Sequence, residues 1–228
     1  MKTLEQLFLR TISARILAIA FLLTGWTGIN AQDFTKSYNG TYDVDKGAVL
    51  VIKNKFGYVQ CQTWDQSSVS ISVTVKVDAS SQEKANKVFD KITVDLSGTR
   101  TRVQGITTME NVNNADFSIN YDIRMPKWIT LDLDNKFGDI YIGEVDGTAK
   151  INLEYGALEA DSFNAPADIT LKFSDAETGF IKSGNLNIEY GEWDTEGAGD
   201  LKVRSRFSEV NIEKMANLNL DSQYDEIT

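Results

Sequence analysis

The sequence contains no histidine, a single cysteine (Cys61) and only two prolines (Pro126 and Pro166). Without imidazole there is no Ser-His-Asp or Cys-His nucleophile, no histidine general base and no imidazole-containing zinc site. One cysteine allows neither an internal disulfide nor a cysteine-only metal centre. Basic residues are also scarce, 23 against 33 acidic ones, for a net charge of −10. That balance repels nucleic acid and anionic membranes alike. What remains is a chain of 228 residues, 42% hydrophobic, long enough to bury a sizeable core.

At the N-terminus Lys2, Arg10 and Arg15 precede an unbroken apolar run at 16–23 (ILAIAFLL), followed by small and polar residues as far as Ala31. Positive, then apolar, then small is the order of a secretory signal. The run is well short of the ~20 apolar residues a membrane span needs. Residues 1–31 therefore read as a signal peptide cut after Ala31, with no cysteine at the cut to carry a lipid. The protein is expected outside the cytoplasm, in the periplasm, at the cell surface or secreted, with no membrane span after cleavage. Cleavage removes three basic residues and Glu5, leaving 20 basic and 32 acidic residues and a net charge of −12.

The C-terminal half repeats. Phe137, Tyr155, Phe173, Tyr190, Phe207 and Tyr224 follow one another at spacings of 18, 18, 17, 17 and 17. Four residues before each aromatic stand Leu133, Ile151, Ile169, Leu186, Val203 and Leu220, and three after it Ile140, Leu158, Ala176, Trp193, Val210 and Ile227. Polar residues fill the positions between. This is the alternation of half-buried strands, and a unit so short is a rung of stacked strands rather than a helical hairpin. The fold is expected to be all-β, a parallel β-solenoid (β-helix) of 17–18-residue rungs.

Each rung should turn at its aromatic, with positive φ at the small or polar residue that follows: Gly138, Gly156, Ser174, Gly191, Ser208 or Asp225. The aromatics themselves should stack, inward if they serve the core and outward if they form a ladder for binding. Phe163, Ile181 and Met215, each eight past its aromatic, suggest a third inward corner. Immediately before the aromatics, Lys136, Glu154, Lys172, Glu189 and Arg206 alternate in sign, which penalises any slip by one rung.

Phe56-Gly57 shares the same context, with Ile52 before it and Val59 and Cys61 after it, so Cys61 reads as a small core residue. The solenoid is then interrupted once. The expected organisation is a signal peptide at 1–31, first strands and first rung at 32–65, an inserted small α+β element or cap at 66–128, and solenoid repeats at 129–228 that break off within a rung, as in a fragment of a longer solenoid. Within the insert, Val69, Ile71, Val73, Val75 and Val77 mark a strand. Ser80 and Glu83 suggest a capping box for a helix from Ser81 to about Lys91, and further strands follow at 92–96 and 117–123.

The segments 56–64 (FGYVQCQTW), 121–126 (YDIRMP) and 129–142 (ITLDLDNKFGDIYI) resemble the putative adhesin domain family of bacterial extracytoplasmic proteins, common in Bacteroidota. The resemblance implies the same rungs and turns and an adhesin-like role, with no family catalytic residues to carry over.

On this reading the chain is a non-enzymatic secreted or cell-surface module, binding or structural, with no catalytic, metal or cofactor residues. Its partner would be an extracellular or envelope glycan or protein, and an open terminal rung would allow end-to-end self-association. The candidate site is a column of like charges two residues past the aromatics, Asp139, Asp175, Glu192, Glu209 and Glu226, which would suit a cation or a basic partner. The alternatives are a secreted polysaccharide lyase or glycosidase working through carboxylates such as Asp132 and Asp134, and an envelope-signalling accessory.

Overall fold

The computed structural model describes residues 32–228 apart from Asn113. The expected signal sequence lies outside the described residues. The chain forms a parallel β-solenoid whose rungs share one core. One stack of strands runs through β2 (Val49–Lys55), β8 (Thr130–Lys136), β10 (Ala149–Glu154), β12 (Ala167–Lys172), the second half of β13 (Asp175–Glu189), the second half of β14 (Glu192–Arg206) and β16 (Met215–Gln223). The other runs through β3 (Val59–Trp64), β9 (Ile140–Ile142), β11 (Ala157–Phe163), the first halves of β13 and β14, β15 (Glu209–Ile212) and β17 (Glu226–Ile227). The two stacks meet at the aromatic corner.

The register is the one the repeat dictates. Leu133, Ile151, Ile169, Leu186 and Val203 pair in turn and are all buried, as are Ile140, Leu158, Ala176, Trp193 and Val210 on the other stack. Volumes are matched between neighbours: Trp193 fits into the core because Ala176 lies beneath it, and its indole N–H donates to Thr178 Oγ1 at 3.1 Å. A third column closes the rung, in which Val145, Phe163, Ile181, Ala198 and Met215 succeed one another.

The first rung stacks directly on the later ones. Leu50 pairs with Leu131, Ile52 with Leu133, Val59 with Ile140 and Cys61 with Ile142. The segment between them folds beneath, where β6 (Arg102–Met109) runs parallel to β2 and β7 (Asp116–Pro126) parallel to β3. The chain then reverses direction. β5 (Ile92–Gly98) pairs antiparallel with β6, β4 (Ser68–Ala79) with β7, and β1 (Gln32–Asp43) with β4. Val69, Ile71, Val73, Val75 and Val77 of β4 are all buried, as their alternation demands.

The helix of this segment, α1 (Gln82–Phe89), buries Ala85 and Phe89. Its cap differs from the expected capping box. Ser81 is the N-cap and accepts from the Lys84 N–H, while Ser80 accepts from Lys84 Nζ. With the cap one residue later, Glu83 stands too early in the helix to close the box.

The corners also differ from expectation. The residues with positive φ are the aromatics themselves: Phe56, Phe137, Tyr155, Phe173, Tyr190, Phe207 and Tyr224, at φ between 50° and 64°. The glycine after them is required by close approach instead. A Cβ on Gly138 would stand 2.2 Å from Gly57 O, and one on Gly156 2.3 Å from Gly138 O. The left-handed turn throws each ring outward, so the column forms an exposed ladder and not a core row. Phe137 is 39% exposed and Phe207 50%.

Successive rings lie 4.9 to 5.1 Å apart, with planes 2° to 11° from parallel. A bulky residue in the left-handed region costs ~1–2 kcal/mol. Half-burying its ring returns ~2–3 kcal/mol at ~25 cal/mol per Å², and each stacked pair adds ~0.5–1.5 kcal/mol. The stack therefore outweighs the strain it imposes.

This balance orders the substitutions at Phe173. Alanine should destabilise by ~2–4 kcal/mol, because it loses the ring and keeps the strain. Glycine should be the milder change by about 1 kcal/mol, the reverse of the usual order in a strand, because it relieves the strain. Chemical denaturation of the two variants checks this, and a Phe173→Ala protein more stable than Phe173→Gly would contradict it.

Candidate functional site

The two exposed sheet faces flanking the ladder carry opposite kinds of surface. The face before the aromatics, formed by 132–136, 150–154, 168–172, 185–189, 202–206 and 219–223, has six acidic and six basic residues. The face after them, formed by 139–143, 157–161, 175–179, 192–196, 209–213 and 226–228, has eleven acidic residues and no basic one.

On the mixed face, charges alternate between neighbouring strands. Lys136 lies beside Glu154, and its ammonium holds that carboxyl below the usual carboxylate range through their hydrogen bond. The two side chains are 38% and 41% exposed, so the pair fixes register and contributes no more than ~1 kcal/mol. Lys136 also lies 5.4 Å from the Phe137 ring centroid and 5.7 Å from that of Tyr155. The carboxylates Asp132 and Asp134 belong to this pattern. Asp132 stacks between Val51 and Lys150, and Asp134 between Lys53 and Asn152. These are ordinary ladder positions on an open sheet.

The column predicted as a candidate site lies along the border of the acidic face, next to the ladder, and its members differ in role. Asp139 Oδ1 accepts the backbone N–H of Ala157 at 2.9 Å, and Asp175 Oδ1 that of Glu192 at 3.0 Å. Each thereby ties its corner to the rung above. The preceding column, one residue past the aromatic, does similar work: Ser174 Oγ accepts from Gly156 N, Ser208 Oγ from Gly191 N, and Asp225 Oδ1 from Ser208 N. Glu192 has a different environment. The neighbouring Asp194, then Glu209, push its carboxyl above the usual carboxylate range.

Two further acidic rows accompany that column and escaped the sequence reading: Glu159, Glu177 and Asp194 four past the aromatic, and Asp161, Glu196 and Glu213 six past it. The signal was present at a fixed offset from each ring. These rows line a concave groove of about 1020 Å³ that runs across the strands from Gln60 to Thr228. Cys61, at the first rung, is buried, and burial pushes its thiol up to about 12, so it carries no thiolate at neutral pH. Among the described residues, no three His, Cys, Asp or Glu side chains are grouped to hold a metal ion, and no helix is long and apolar enough to cross a membrane.

No family model matches the chain, and no curated protein matches it. Solved structures do. A putative cell adhesion protein from Clostridium sporogenes aligns over 85% of this chain and 98% of its own, with 10% identity and a TM-score of 0.41. A putative adhesin from Parabacteroides distasonis aligns over 87% and 97%, with 9% identity and a TM-score of 0.37. A putative adhesin from Bacteroides fragilis aligns over 84% and 96%, with 10% identity and a TM-score of 0.35.

The crowding at Glu192 has a sign. Its carboxyl is raised in the folded state, so the charged form opposes folding. That penalty is absent when both states are protonated and sets in as pH rises through the folded value. Glu192→Gln should therefore melt above the parent at neutral pH, and the advantage should vanish below ~pH 4. Melting curves across pH check this, and an equal advantage at both ends would contradict it.

Proposed function

We propose that this chain is a non-enzymatic binding or structural module acting outside the cytoplasm, adhesin-like in that its exposed faces hold a glycan or protein partner. The observation that carries the reading is the repetition of the exposed corner. From Phe137 to Tyr224 every rung repeats one aromatic corner between two exposed faces, so a partner lying along the axis meets the same corner at each rung. Catalysis by carboxylates needs a general acid and a second carboxylate set apart from their neighbours by environment. Asp132 and Asp134 instead repeat the surroundings of other ladder residues. The leader-like segment at 1–31 supports an extracytoplasmic location.

The ladder constrains what can be bound along it. Ring faces are covered by the neighbouring rings, so a partner meets ring edges and the Tyr155 and Tyr190 hydroxyls rather than flat stacking platforms. A glycan and matrix-protein array combined with a reducing-sugar release assay tests the reading. Saturable binding without release is expected. Sugar release that disappears in an Asp132→Ala, Asp134→Ala variant would overturn it, as would failure to bind any arrayed partner.

A further inference from the structure

We propose that the acidic face is a docking surface for an extended lysine- or arginine-rich segment of another protein. This rests on the binding-module reading above and names the chemistry of the partner. Were the acidity of the chain only a device for solubility, both sheet faces would share it. Instead the mixed face balances six acids with six bases, while the acidic face sets eleven carboxylates against no cation. The segregation is held against repulsion, since like charges stand one strand spacing apart along the stack, and Glu192 registers the effect of its neighbours. The turn contacts of Asp139 and Asp175 do not account for the rest: among the described residues the carboxylates of Glu159, Asp161, Glu177, Glu196 and Glu213 accept no hydrogen bond and join no ion pair, and that of Asp194 meets only the carboxyl of Glu192 beside it.

Shape narrows the occupant. The acidic rows line a groove that crosses the rungs, so it receives a chain lying along the solenoid axis rather than a compact ligand. The carboxylates are distributed rung by rung and not gathered in threes, which denies a single small cation its ligand set and suits a polycation that meets them in succession. A concave surface of one sign concentrates such a partner and speeds its encounter. Alongside, the half-exposed ring edges of Tyr155, Phe173, Tyr190 and Phe207 offer apolar margin for the aliphatic stems of lysine or arginine.

The test uses a fluorescently labelled, end-capped peptide of alternating lysine and serine, with a glutamate–serine peptide as control, followed by anisotropy at ~0.15 M salt. Two triple variants remove the same charge from opposite faces: Glu177→Gln, Asp194→Asn, Glu196→Gln on the acidic face, and Asp132→Asn, Asp134→Asn, Asp168→Asn on the mixed face. Circular dichroism checks that both fold. The lysine peptide should bind saturably, with affinity lowered at least about tenfold by the first triple and less than about twofold by the second. Equal losses in both triples would show attraction to net charge alone and overturn the proposal, and so would absence of saturable binding. If the first triple keeps every partner found on the array, the binding-module reading stands and this inference falls.

Discussion

The contact of one aromatic ring with the next, made at a corner whose backbone conformation disfavours any residue but glycine, is the interaction on which the rest of the structure depends. Seven bulky side chains hold φ between 50° and 64°. An isolated residue of this kind would be strained, and asparagine or glycine would replace it at a gain. Stacked in a column, each ring covers its neighbours, and the sum exceeds the strain. The consequence is a register that cannot drift. A rung that slips by one residue loses its place in the ladder and turns its core residues outward, and a slip by a whole rung brings like charges together in the row headed by Lys136 and Glu154. Small changes of plane, 2° to 5° between rings from Tyr155 to Tyr224, keep the stack straight, and with it the two faces that flank it.

Much of this is legible in the sequence because stacking a repeat converts each structural position into a column. Ile151 beneath Ile169 beneath Leu186 needs no more than the period to be foreseen. The corner was harder to read for a physical reason. Glycine after an aromatic is the ordinary mark of positive φ, yet Gly138 and Gly156 are glycine because a carbonyl of the rung below passes where Cβ would be, and the left-handed residue is the aromatic. Strand β6 was hidden for a related reason. Gly105 breaks its pattern to make room for the ring of Tyr121, whose hydroxyl meets Thr107 at 2.8 Å. Where one residue's absence of a side chain serves another residue distant in sequence, local pattern does not reveal it.

The acidic face illustrates the other limit. Its eleven carboxylates stand at fixed offsets from the rings, so their alignment is a matter of counting. Which of them are occupied is not. Asp139 and Asp175 hold the turns of the next rung, whereas Glu177, Asp194 and Glu196 face an open groove. A repeat lets one column serve structure on some rungs and exposure on others, and only the side-chain contacts separate the two. The fold thus provides a stiff support whose two faces vary independently, the mixed one reinforcing register and the acidic one free of that duty along most of its length.

The fold rests most directly on the energy of ring-on-ring contact, and a double-mutant cycle isolates it. Phe173→Gly, Tyr190→Gly and the double variant, compared by chemical denaturation, cancel the strain relief common to the single changes and leave the coupling between the two rings. Their centroids are 4.9 Å apart with planes 2° from parallel. A coupling of ~0.5–1.5 kcal/mol is predicted. Strictly additive losses would contradict the account, because the rings would then be neighbours along the stack without holding it in register.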